Sequence, residues 1–122
     1  MAIRGLRGAT TVDKNDSAEI LTATKELLEI LIKNNTIEVD DIASIFFSVT
    51  RDLDAVFPAK AAREMGFTHT PMLCLNEIDA KDSVPLCIRI LLHVNSTKSQ
   101  ADIKPVYLKG AIKLRPEFAA NE

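Results

Sequence analysis

Cysteine and histidine are scarce in this chain, with two of each in 122 residues. Cys74 and Cys87 stand alone, with no CxxC pair and no cysteine–histidine cluster at zinc spacing, which excludes the common zinc sites. Both lie in apolar, strand-like runs, so they read as reduced, cytoplasmic thiols rather than as a disulfide. His69 and His93 lack a third ligand at suitable spacing, so neither reads as a metal ligand. There is no glycine-rich phosphate loop, nucleophile elbow or HExxH motif, so hydrolase and nucleotide-binding readings have little support. An excess of one charge is missing too: 15 Lys+Arg against 17 Asp+Glu give a formal net charge of −2. That balance argues against a global footprint for nucleic acid or an anionic membrane. No run is long and apolar enough to span a bilayer, and MAIRGLRGATT lacks the continuous apolar stretch of a secretory signal.

What is present suffices for a core. Hydrophobic residues make up 47% of the chain, and a domain of this size buries roughly 65–70% of its unfolded surface. Residues 1–122 read as one domain. Residues 2–12 read as a strand, with Ile3, Gly5, Arg7 and Ala9 on one face and Arg4, Leu6, Gly8 and Thr10 on the other. The glycines on either side of Arg7 mark a close approach of backbone or ligand. Over residues 16–34, Asp16 followed by Glu19 resembles a capping-box start, and Ile20, Ala23, Thr24, Leu27, Leu28 and Leu31 recur at helical spacing. Asn34-Asn35 is the expected stop. Further strands are expected at Ile42–Thr50, Met72–Glu77, Pro85–Val94 and Val106–Leu108, with a short helix between Pro58 and Gly66. The fold class is α/β or α+β, a mixed sheet with one long covering helix.

The stretch PLCIRILLH puts an arginine inside an apolar run, and an unpartnered buried guanidinium is costly. Alternation resolves part of this. Leu86, Ile88, Ile90 and Leu92 share a core face, while Cys87, Arg89, Leu91 and His93 share the other. By itself Arg89 reads as an arginine on a solvated face. Lys60, Arg63 and Glu64 sit at i, i+3 and i+4 on the short helix. They read either as a surface Lys60–Glu64 pair or as a cationic face for an anionic ligand. Glu77 closes a strand, Tyr107 is the lone tyrosine and Phe57 precedes a proline; each alone reads as structural.

Taken together, IRGLRGATTV (3–12), DLDAVFPAKAAREMG (52–66), PMLCLNEID (71–79), CIRILLHV (87–94) and VYLKGAIKLRP (106–116) resemble the small monofunctional chorismate mutases. The likeness runs over nearly the whole chain. It implies a homotrimer around a pseudo-barrel core, with active sites between subunits, and conversion of chorismate to prephenate for phenylalanine and tyrosine. It implies no cofactor and no metal. The positions that match catalytic residues are Arg89, Glu77 and Arg7. The substrate-binding set adds Phe57, Lys60, Arg63, Leu73, Cys74, Leu75, Asn76, Tyr107, Leu114 and Arg115. It also implies a tail closing over the site, and EFAANE after Pro116 is short for that.

Chorismate carries two carboxylates, so clustered cations in a net-acidic chain gain a purpose. The rearrangement needs no nucleophile and no obligatory proton transfer. It needs a compact substrate shape and a donor for the ether oxygen, the role the likeness gives Arg89. Glu77 would take the ring hydroxyl. The Cys74 backbone could do the same, leaving its thiol dispensable. A trimeric binder of small carboxylates with a similar cleft, or a structural or regulatory interaction protein with scattered cations, are the competing readings.

Overall fold

Apolar–polar alternation yields five strands: β1 (Ala2–Thr11), β2 (Ile42–Val49), β3 (Met72–Asn76), β4 (Cys87–Ser96) and β5 (Val106–Tyr107). In the computed structural model, which describes residues 1–118, they form one mixed sheet in the order β3-β2-β4-β1-β5. β4 runs antiparallel to β1 and β2, whereas β3 is parallel to β2 and β5 is parallel to β1. Parallel neighbours cannot be joined by a tight hairpin, and the β2–β3 crossover carries the short helix α2 (Ala59–Glu64). Among the described residues, no helix is long and apolar enough to cross a membrane.

The long helix α1 (Ser17–Asn35) lies against the sheet through buried Ile20, Ala23, Thr24, Leu27, Leu28 and Leu31. Its start is a modified capping box. Asp16 accepts from the Glu19 N–H at 3.0 Å, and the Glu19 carboxylate accepts from the Asp13 N–H rather than from that of Asp16. Its stop falls where the asparagine pair predicts it: the helix ends at Asn35 and is capped by Thr36, whose φ of 53° is left-handed. The Thr36 and Ile37 N–H groups reach back to the Lys33 and Ile32 carbonyls, a Schellman closure with threonine in the usual glycine position. Asn35 stays helical because its buried side chain is satisfied there, donating to Leu31 and Lys104 carbonyls and accepting from the Lys104 N–H.

Of the two glycines beside Arg7, only Gly8 marks a close approach. A Cβ there would lie 2.8 Å from the Val106 carbonyl oxygen and about as near to Leu27 and Leu31. The missing side chain lets β5 pair with β1 directly beneath α1. At Gly5 a Cβ would make only an ordinary contact with Leu91, and the residue instead exchanges two hydrogen bonds with the Gln100 side chain.

β4 begins two residues later than expected. Leu86 takes a left-handed φ of 52°, and its N–H donates to Asp52. Asp52 also accepts from the Thr50 hydroxyl, which itself accepts from the Cys87 N–H. This small network ties the end of β2 to the start of β4, two residues before Arg89. At the end of α2, Gly66 takes a φ of 98°, the stop its position predicts. After β5, a 3-10 helix (Lys109–Leu114) folds over one end of the uncovered face, where the Gly110 N–H donates to Thr11.

Candidate active site

Strand register places the chemistry. Tyr107, Ala9, Arg89, Ser48 and Leu75 lie in one row across all five strands. The row two residues along holds Arg7, Leu91, Phe46 and Leu73. Residues opposite one another share a face, so both rows lie on the side away from α1. Ile88, Ile90, Leu92 and Val94 of β4 are buried on the other side, and the alternation expected for Arg89 holds.

Arg89 is partly exposed, with 42% of its side chain accessible against 24% for Glu77. Its Nε lies 3.5 Å from one Glu77 carboxylate oxygen, near enough for an ion pair but without hydrogen-bond geometry. That Nε is shut from solvent and has no hydrogen-bond partner among the described residues. Glu77 lies one residue past the end of β3, yet its N–H continues the ladder to the Val49 carbonyl at 2.8 Å. The other carboxylate oxygen accepts from the Ser48 hydroxyl at 2.5 Å.

Tyr107 is only 7% exposed and packs with Ala9, Cys87, Ala111 and Leu114, one strand beyond Ala9 from Arg89. Burial pushes the Cys87 thiol up, with the Arg89 guanidinium pulling it the other way. Arg115 donates to Glu117 at 2.7 Å. The Glu117 carboxyl is held below the usual range, first by its own backbone hydrogen bond, then by Arg115 and, at longer reach, by Arg7. So Arg7, Arg89 and Arg115 are all on this side. Of the short tail, residues 119–122 lie outside the described residues; Pro116–Phe118 form a single 3-10 turn.

The remaining candidates divide. Phe57, Cys74, Leu75 and Asn76 line an open cavity of about 540 Å³ with Val49, Leu53 and Pro58. Phe57 is 70% exposed, so it is not a structural core residue. Cys74 pairs in register with core-facing Phe47 and Ile90, so its side chain faces the α1 side, away from Arg89. Lys60 and Arg63 are exposed on α2. The expected Lys60–Glu64 pair gives way to Lys25–Glu64 at 2.8 Å, because α1 runs beside α2 and offers a better-aimed ammonium. The Lys25 hydrogen bond holds the Glu64 carboxyl below its usual range.

Ser48 and Asp52 were not singled out from sequence. For Ser48 a signal existed: alternation along IASIFFSVT puts Ser44, Phe46 and Ser48 on one face.

Guanidinium groups fixed on strands, one of them beside the Glu77 carboxylate, define an anion-binding site built for electrostatic work. Comparison with known proteins gives that class a family. The model of the chorismate mutase type I family matches residues 3–118. "Chorismate mutase AroH" of Bacillus subtilis (strain 168) is 42% identical over 123 residues, spanning 100% of this chain and 97% of the relative. Its namesake in Thermus thermophilus is 39% identical over 121 residues, spanning 98% and 99%. A solved chorismate mutase from Clostridium thermocellum matches with a TM-score of 0.86 at 53% identity, covering 88% of this chain and 96% of that one. The chain belongs to the type I chorismate mutase family.

Proposed function

We propose that the chain isomerises chorismate to prephenate, in aromatic amino acid biosynthesis, at clefts between subunits of a homotrimer. The observation that carries this is the Arg89 guanidinium, fixed on β4 with its Nε unclaimed and one carboxylate beside it. As the C–O bond of chorismate stretches, negative charge gathers on the ether oxygen while the C–C bond forms. A pre-aimed guanidinium stabilises that charge more than it stabilises the ground state, which is what accelerates a reaction. Glu77 takes the ring hydroxyl. Arg7 and Tyr107 hold one end of the dianion. Leu114 and Arg115 close the same side.

Phe57, Lys60, Arg63, Leu73, Leu75, Asn76 and the Cys74 backbone complete the site, and assembly supplies the reason. Phe57, Lys60 and Arg63 are on or beside α2, next to edge strand β3, whereas Arg89 and Arg7 are on the uncovered face. Both sets can reach one substrate when a second copy brings its β3 edge to the first. The uncovered face also exposes Ile3, Leu73, Leu75 and Leu91, an apolar surface suited to contact between copies. Free Cys74 and Cys87 fit a reducing, cytoplasmic setting.

The test is chorismate consumption with prephenate appearing, using purified chain without added cofactor, alongside sedimentation to count subunits. Turnover by a trimer is the expected result. A folded trimer that binds chorismate without converting it would establish the carboxylate-binder reading instead.

A further inference from the structure

Arginine and carboxylate side chains that meet usually close into a two-point pair with parallel N–H···O bonds. Arg89 and Glu77 meet and do not close: one oxygen stands 3.5 Å from Nε, and that Nε forms no hydrogen bond among the described residues. What holds them apart is visible. The Glu77 backbone is pinned by its N–H to the Val49 carbonyl, and its Oε1 is taken by the Ser48 hydroxyl. Ser48 stands directly opposite Arg89 in the register, so the hydroxyl and the guanidinium compete for the same carboxylate from neighbouring strands.

We propose that Ser48 is a positioning residue that restrains Glu77 from pairing fully with Arg89, keeping the guanidinium available to the substrate. The inference rests on the chorismate mutase reading of the site. A hydrogen bond to a charged acceptor is about twice as strong as a neutral one, enough to set the carboxylate rotamer. Without it the carboxylate rotates onto Arg89. The guanidinium is then neutralised and turned from the ether oxygen, where charge develops only in the transition state. The loss therefore falls on kcat rather than KM.

Three variants test this. Ser48→Ala removes the donor, Ser48→Cys keeps the size with a weak donor, and Ser48→Thr keeps the hydroxyl. The first two should lose about tenfold in kcat with KM little changed, and Ser48→Thr should retain most of it. In a Glu77→Ala background, Ser48→Ala should cost nothing further, since no carboxylate remains to restrain. Independently of turnover, the Arg89 Nε–H proton resonance should move downfield and exchange more slowly in Ser48→Ala and Ser48→Cys, and stay in place in Ser48→Thr. An unmoved resonance, a loss confined to KM, or an equal loss in the Glu77→Ala background overturns the proposal. If the wild-type chain fails to convert chorismate, the functional reading falls, and the Nε–H resonance still decides what Ser48 does.

Discussion

The two faces of β4 differ by a single step along the chain. Ile88, Ile90, Leu92 and Val94 are fully or almost fully buried under the helices. Arg89, Leu91 and His93, between them, look the other way. His93 shares a hydrogen bond with Ser44 at 3.0 Å and meets the Phe46 ring edge-on. The covered face carries no ionisable side chain from β4, because an unpaired charge there would cost several kcal/mol (~). The uncovered face can carry charge because solvent or a ligand compensates it. One strand thus anchors the core with one edge of its pleat and aims a guanidinium with the other.

Substituting each face in turn separates the two functions. Arg89→Ala should cut kcat about 100- to 1000-fold, the loss seen when one oriented donor to a developing oxyanion is removed. Its melting temperature should barely move, since a half-exposed ion pair contributes about 0–1 kcal/mol. Arg63→Ala, which under the proposed function removes a substrate-carboxylate contact made before and during the reaction, should lose far less. Near-wild-type turnover by Arg89→Ala would break the comparison at its chemical end. In the helix that packs over the covered face, Leu28→Ala should lower stability by about 2–5 kcal/mol through lost burial and the cavity left behind. Its kcat/KM per folded molecule should stay unchanged. Denaturant unfolding beside steady-state kinetics reads both, and a fall in kcat/KM with Leu28→Ala would show that the faces are coupled.

The face of Arg89 was legible because alternation needs only neighbouring residues, and CIRILLHV alternates cleanly. Helix α1 was legible for the same reason, with apolar residues at helical spacing. What sequence left open depends on partners far along the chain. Glu64 pairs with Lys25 rather than Lys60 because two helices run side by side. β4 starts at Cys87 because Asp52 claims the N–H of Leu86, 34 residues further along the chain. The last turn of α1 is tied down because Lys104, far along the chain, satisfies the buried Asn35 side chain. The family likeness named most of the candidate site, but it could not reveal which candidates one subunit brings together. Register did that, setting Arg89 beside Ser48 and Cys74 on the opposite face. The Ser48–Glu77 contact required both the register and the turn after β3.

The two cysteines give the gentlest comparison of the faces. Cys74 is partly accessible on the α1 side of edge strand β3, whereas Cys87 is buried on the uncovered side beneath Tyr107 and Ala111. Cys74→Ser should keep most of the activity, because the proposed function asks only the backbone at that position to meet substrate; complete loss in a folded protein would show that the thiol matters. A thiol reagent should label Cys74 first and Cys87 only on unfolding. The Cys87 thiol also carries a pH signature. Burial raises it above its ordinary value of 9.0, so the folded chain keeps a proton that the unfolded chain releases. Stability should therefore be unaffected by this group below that value and fall as pH climbs from it toward the folded value. The alkaline slope of unfolding free energy should be shallower in Cys87→Ala than in wild type. Equal slopes would mean that Cys87 ionises as readily inside the fold as outside it, with the guanidinium of Arg89 offsetting its burial.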